Sequence, residues 1–287
     1  MQYLFPILLM PPAKIRYNEN KMAKCLVRRK FPKSEGGTRG IRVPMIKINS
    51  FGKTDVGLVR KNNEDALILK PELGFWGVAD GMGGEERGEV ASQIFADTAL
   101  ELFSGFAGRS QEEVRQRVQK TFGLANKRIL DWASENQVEK MGCTAELITF
   151  YASDYVLGHV GDSRTYRFRQ GELRQITRDH SWIQAQIDEG VLTPAEAQRS
   201  PLRNIILRAV GTEDSLAVDL LSGKSMPGDL YLLCSDGLIS MVDDLVIQEV
   251  LSRLLDLYQK VDHLIERSKT AGGYDNITVI LCEVMAP

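Results

Sequence analysis

Histidine and cysteine are scarce in this chain of 287 residues, with three and four respectively. Cys25, Cys143, Cys234 and Cys282 lie far apart with no CxxC spacing, and His159, His180 and His263 fall in no metal-ligand spacing. That excludes a finger-type metal site and argues against zinc or iron as the designed metal. Scattered thiols fit a reducing compartment better than a disulfide framework, so a cytoplasmic location is expected. Long apolar runs are missing as well. The opening MQYLFPILLM has no basic residue before it and meets Pro11-Pro12 at once. It is too short to span a bilayer, which takes ~20 residues, and no membrane span is expected. An excess of one charge is also absent, and the net charge of −2 by itself says nothing about partners. A basic N-terminal arm suits acidic lipid or nucleic acid, but it reads as a solvated tail and no nucleic-acid partner is expected. The charges are unevenly spread, however. Residues 1–47 hold eleven of the 36 basic residues and two of the 38 acidic ones, a balance of +9 against −11 for the rest. An acidic domain at 48–287 therefore follows a basic extension at 1–47, which has no sustained hydrophobic period and reads as flexible. Met22 and Met45 are alternative starts.

The stretch that organises the chain is Phe75-Trp76-Gly77-Val78-Ala79-Asp80-Gly81-Met82-Gly83-Gly84. Its apolar run reads as a buried strand, because the glycines that follow stop regular structure and let backbone turn tightly or approach a ligand. Asp80 is then expected at the strand's end, with its side chain and nearby carbonyls facing an open site. Hard divalent cations such as magnesium and manganese take oxygen ligands of this kind. A second polar cluster, Arg60-Lys61-Asn62-Asn63-Glu64-Asp65, follows a short strand; it reads either as a charged hairpin loop or as an arginine fork for phosphate beside carboxylates. Gly52-Lys53-Thr54 resembles the end of a phosphate-binding P-loop, but Lys47 stands where that motif needs glycine, and the match fails.

The remaining chain alternates in period. Gly88–Phe103 has apolar residues at helical spacing, and Ser110-Gln111-Glu112-Glu113 opens a second helix through about Ser134 with a capping box. Val114, Val118, Phe122, Ala125, Ile129 and Trp132 form its core stripe. From Met141 short alternating segments read as strands, with Gln170-Gly171 as a hairpin turn. Residues 178–211 break the pattern and read as an irregular insert over a site, with a capping box at Thr193-Pro194-Ala195-Glu196. A strand at Leu230–Cys234, helices across 242–270 and a last strand at Ile277–Val284 complete the chain.

Four aspartates, Asp80, Asp162, Asp236 and Asp275, each border an apolar strand. If those strand ends converge, the carboxylates repel one another unless cations lie between them. Read in order, TDVGLVRKNNEDA (54–66), ADGMGG (79–84), GDSR (161–164), SDGL (235–238) and DNIT (275–278) resemble the metal-dependent Ser/Thr protein phosphatases of the 2C type (PPM family), in their bacterial form. The resemblance covers about residues 48–285. It implies an α+β fold, an αββα sandwich of two mostly antiparallel sheets flanked by helices. It also implies two Mn2+ or Mg2+ ions per active site, bridged by Asp80, with Gly81, Asp236 and Asp275 as further ligands and a third, weaker ion on Asp162 with Asp236. Glu64 would hold metal-bound water in the outer shell with Asp65 supporting it, Asn276 would help orient Asp275, Arg60 would bind the substrate phosphate, and 178–211 would be a flap. The implied catalytic residues are Arg60, Asp80 and Glu64. A water bridging the metals would attack phospho-Ser/Thr directly, without a phospho-enzyme. Met82 stands where animal-type members carry a candidate general-acid histidine, so that acid stays unassigned. The implied partners are phosphorylated proteins, including a Ser/Thr protein kinase, and the implied state is a monomer. The alternative is a catalytically weak phosphoprotein-binding module.

Overall fold

A computed structural model describes residues 46–83, 87–106, 108, 110–197, 200–202 and 204–286. The basic extension up to residue 45, together with Cys25, Met22, Met45 and Gly84, lies outside the described residues. Strand β1 (Lys47–Asp55) begins at the last residue assigned above to the extension. It is followed by β2 (Asp65–Lys70), β3 (Phe75–Met82), α1 (Gly88–Phe103) and α2 (Gln111–Glu135). Next come β4 (Gly142–Cys143), β5 (Ala145–Tyr151), β6 (Asp154–Val160), β7 (Arg164–Arg169) and β8 (Glu172–Gln175). Helices α3 (Trp182–Asp188) and α4 (Pro194–Ala197) lead to β9 (Asp219–Lys224) and β10 (Leu230–Cys234). The chain closes with α5 (Asp236–Ile239), α6 (Asp244–Ser252), α7 (Leu257–Thr270) and β11 (Ile277–Met285).

One sheet has the order β1-β11-β10-β7-β8 and the other β2-β3-β5-β6-β9, with β4 added to β3, and the pairings are antiparallel. The two-residue period decides what each strand buries. Along β10, Tyr231 and Leu233 point between the sheets, where they meet Trp76, Val78, Ile148 and Leu157 of the other sheet. Leu230, Leu232 and Cys234 point outward onto Ile247, Val250, Leu264 and Ile265 of α6 and α7. Likewise Phe75 and Ala79 of β3 face Phe95 and Phe122 of α1 and α2. FWGVA is apolar throughout because both of its faces are covered. The order is helix, sheet, sheet, helix: an α+β sandwich.

Local chemistry supports the boundaries. Ser110 Oγ accepts from the Glu113 amide at 3.1 Å, capping α2. Val114, Val118, Phe122, Ala125 and Ile129 are buried on its inner face, with Trp132 half-buried beside them. Gln170 and Gly171 both have positive φ, 52° and 88°, the signature of a type I′ hairpin turn.

The insert at 178–211 is more regular than expected. Ser181 caps α3, and Thr193 and Glu196 exchange reciprocal bonds at α4, where the Thr193 amide donates to Glu196 Oε2 (2.8 Å) and the Glu196 amide to Thr193 Oγ1 (3.3 Å). Its two arms join where Trp182 N donates to Ile205 O and Leu207 N to His180 O. Strand β9, which no sequence pattern announced, forms the edge of the second sheet against β6.

A carboxylate cluster at one end of the sandwich

Sheet register brings the singled-out acidic residues to one end of the molecule. Cys234, at the end of β10, pairs with Arg164 at the start of β7 and with Val279 near the start of β11. Asp236, Asp162 and Asp275 therefore leave neighbouring strands on the same side. Asp65 and Asp80 face each other in register on β2 and β3. Asp80 does not end its strand as expected. Gly81 and Met82 continue β3 because they pair with Cys143 and Gly142 of β4. Glycine is needed at 81 for close approach: a Cβ there would collide with the Gly88 carbonyl and lie 2.7 Å from Glu64 O.

Hydroxyls lock the two sheets together beneath the cluster. Asp65 Oδ2 accepts from Ser235 Oγ (2.7 Å) and Thr278 Oγ1 (2.6 Å), and Thr54 Oγ1 meets Thr278 Oγ1 at 2.7 Å. Across the site, Thr144 N donates to Asp80 O (2.9 Å), and Thr144 Oγ1 meets Ser163 Oγ at 2.6 Å. Thr54, Ser163, Ser235 and Thr278 lie within the quoted motifs, but sequence reasoning gave them no role, and Thr144 lies in none of those motifs.

Glu64 is fixed through its backbone. Its amide donates to Asn276 Oδ1 (2.8 Å), and its carbonyl accepts from Gly81 N (3.1 Å) and Ser92 Oγ (2.6 Å). The backbone amide of Asn276, the residue expected to orient Asp275, donates to Asp275 Oδ1 at 2.8 Å. Its side chain has a different task. Nδ2 donates to Val56 O (3.0 Å) and Asn62 O (2.9 Å), stapling the β1–β2 loop. Arg60 reaches into the cluster from that loop and donates from Nη2 to Asp275 Oδ2 at 2.7 Å, with half of its side chain still exposed. Arg164, of the GDSR segment, is turned away and held by Asp179 through both Nε and Nη2.

Electrostatics report the crowding. Burial, and then the charges of Asp65, Asp236, Asp162 and Asp275, push the Asp80 carboxyl well above the usual carboxylate range. The Asp65 carboxyl rises to about 7, driven by burial and by Asp236 and Asp275 against the pull of its two hydroxyl donors. Asp162 rises to about 8 through burial, Asp236 and Asp179, with Arg164 countering. Glu64 is raised by burial and by Asp275 and Glu89, while Arg60 lowers it. Carboxylates so arranged favour the neutral form or a cation among them. Asp65 Oδ1 is buried with no hydrogen-bond partner, and the donors are hard oxygens, as manganese and magnesium require. Among the described residues, no three His, Cys, Asp or Glu side chains close into a chelate. The fit to divalent cations is thus one of charge and donor type.

A fold of this order with an acidic cluster at its strand ends defines a class, and the comparisons agree. The family model for protein phosphatase 2C matches residues 60–270, and the chain belongs to that family. It is 37% identical over 240 residues to the serine/threonine phosphatase stp of Listeria innocua, covering 80% of this chain and 94% of that one. It is 38% identical over 234 residues to the serine/threonine protein phosphatase PstP of Mycobacterium tuberculosis, covering 81% of this chain and 44% of the mycobacterial protein, so it spans under half of that relative. A crystal structure of the catalytic domain of PstP in complex with two manganese ions superimposes with a TM-score of 0.76 at 33% identity, covering 84% of this chain and all of that one.

Proposed function

We propose that this protein is a metal-dependent protein phosphatase that hydrolyses phosphoserine and phosphothreonine by direct attack of water. The observation that carries the proposal is the crowding of the half-buried Asp80 carboxyl by Asp65, Asp162, Asp236 and Asp275. Asp80, the Gly81 carbonyl, Asp236 and Asp275 would hold two Mn2+ or Mg2+ ions, and Asp162 with Asp236 a third, weaker one. When bound, the ions supply a water whose pKa falls from ~15.7 towards ~7 and charge that neutralises the phosphoryl oxygens.

The chain's own residues do the rest. Arg60 binds the phosphate through its fork and gives up Asp275 to do so, which offers that carboxylate to a cation. Glu64, held by Asn276, Gly81 and Ser92, orients and accepts protons from water at the edge of the cluster. Asp65, bridged to Ser235 and Thr278, keeps both sheets in register under Asp80. The substrates are phosphoproteins, including a Ser/Thr kinase that the enzyme opposes, and the enzyme acts as a cytoplasmic monomer. Buried, unpaired Cys143, Cys234 and Cys282 support a reducing compartment. No helix among the described residues is long and apolar enough to cross a membrane. The basic extension is proposed to lie outside the catalytic domain up to residue 46, since Lys47 of β1 pairs with Met285 of β11, and 178–211 is proposed as the domain's flap.

The test is phosphate release from phosphoserine, phosphothreonine and phosphotyrosine peptides and from nucleotides, with manganese present and acid-quenched samples of labelled peptide. The expected result is turnover of the first two peptides with no label retained on protein. Preferential nucleotide hydrolysis, or a labelled protein intermediate, would overturn it.

A further inference from the structure

The β1–β2 loop turns large apolar side chains outward beside the acidic cluster. Leu58 is 62% and Val59 59% exposed, and Tyr274, on the loop before β11, is 61% exposed. Single exposed apolar residues are ordinary, and Leu245 and Leu254 elsewhere are more exposed still. These three differ in being gathered on two loops that are tied together. Leu58 N donates to Gly273 O at 2.8 Å and Asn276 Nδ2 to Val56 O at 3.0 Å, and within the first loop Gly57 N donates to Asp55 Oδ1 at 2.9 Å. Gly57 has φ +79°, and a Cβ there would strike the backbone of Asp275 and lie 2.8 Å from Gly273 O. The two loops thus touch backbone to backbone, at a distance only glycine allows. Leu58 and Tyr274 flank the Gly272-Gly273 turn: Leu58 Cγ lies 3.1 Å from a Cβ built at Gly273, and the Tyr274 ring 2.6 Å from one built at Gly272.

Exposed apolar groups on a pinned backbone are preorganised for binding, because little chain entropy remains to be lost. Arg60 follows Val59 directly and pairs with Asp275, the neighbour of Tyr274. The apolar rim and the phosphate-binding arginine are therefore continuous. Charge is balanced beside the site, with exposed Lys61 against Glu64 and a cation on Asp275, so contact with Leu58, Val59 and Tyr274 decides which flank fits, in favour of apolar ones.

We propose that Leu58, Val59 and Tyr274 form a recognition surface for the peptide flanking the phosphorylated residue, selecting phospho-Ser/Thr sites with apolar or aromatic neighbours over sites with acidic ones. The proposal rests on the phosphatase reading above. Its test compares three probes with manganese: p-nitrophenyl phosphate, too small to reach the rim, a phosphothreonine heptapeptide flanked by Leu and Phe, and the same peptide flanked by Glu. For the wild type, kcat/KM is expected to favour the apolar peptide by about tenfold or more, a difference within the reach of one or two apolar side chains. Leu58→Ser and Tyr274→Ser, each checked by thermal melting, and the milder Val59→Thr should reduce that preference about threefold to tenfold. The readout is the ratio of peptide kcat/KM to that for p-nitrophenyl phosphate in the same preparation, which a general loss of active protein does not move. Equal rates on both peptides, or variants that lower all three probes in parallel, would overturn the recognition surface and leave the phosphatase reading standing. No turnover of any probe in manganese would overturn both.

Discussion

Replacing Asn276 by alanine removes three hydrogen bonds from one buried side chain. Asn276 is 4% exposed, and its amide group joins Glu64 N, Val56 O and Asn62 O at 2.8, 3.0 and 2.9 Å. Each buried polar group left without a partner costs about 1–3 kcal/mol. Because the loop can relax and admit water to some of these groups, the expected net loss is about 3 kcal/mol rather than the sum. For a domain of this size, 1 kcal/mol corresponds to roughly 2–4 °C in melting temperature, so Asn276→Ala should melt about 6–12 °C lower. The same bonds set the positions of Glu64 and Arg60. Displacing a reacting group by ~1 Å can cost a hundredfold in rate, and a loss of ten- to a hundredfold in kcat/KM for a phosphothreonine peptide is expected at temperatures where the variant is folded. Asn276→Asp keeps an acceptor for Glu64 N but turns a carboxylate on two carbonyls and should fare no better. Melting followed by circular dichroism, and hydrogen exchange of residues 56–64, are the assays. A melting point within 1–2 °C of the wild type, with unchanged exchange in that loop, would refute the stapling role.

Arg60→Ala should barely change stability, because the Arg60–Asp275 pair is half-exposed and such pairs contribute about 0–1 kcal/mol, yet it should lower kcat/KM at least a hundredfold; a matching loss of melting temperature would mean the arginine is structural. Gly81→Ala should destabilise by about 1–3 kcal/mol or more in urea unfolding, since its Cβ has no room between the Gly88 and Glu64 carbonyls; a neutral result would contradict the packing of β3 on α1. The pH dependence of stability without metal follows from Asp65 near 7 and Asp162 near 8. Above the unfolded value of ~3.9 the native state keeps protons that the unfolded chain has lost. That stability is lost as pH rises through the folded values. His180, lowered to about 4 chiefly by burial, works in the opposite sense between about 4 and 6.5, whereas His159, which Glu146 raises against the effect of burial, works in the same sense as the carboxyls above 6.5. In EDTA the melting temperature should fall from pH 6.5 to 8, and saturating manganese should lessen that fall; a rise with pH in EDTA would overturn the assignment.

Much of this architecture can be read from the chain, because the features concerned are local. The periodicity of Val114–Ile129, the cap at Ser110, the hairpin at Gln170-Gly171 and the apolar run at 230–234 each act within one element, and the structure keeps them. The five ordered motifs name most of the acidic cluster. What escaped depends on distant pairing. Strand β9 is half-polar and contains Gly223, so only its register with β6 makes it a strand. Asp80 lies inside β3 because β4, some sixty residues later, supplies a partner. The hydroxyls of Ser235 and Thr278 converge on Asp65 across 170 and 213 residues of sequence, a separation at which no local period can signal contact. Arg60 likewise finds Asp275 only because the first and last strands of the domain are neighbours.

The most direct measurement is phosphate release from a phosphothreonine peptide by the wild type and by Asp236→Asn, each titrated with manganese and magnesium and each repeated in EDTA. If the acidic cluster works by holding divalent cations, the wild type turns over only with metal, and Asp236→Asn loses most of that activity while melting normally. Turnover that persists in EDTA, or a fully active Asp236→Asn, would contradict it.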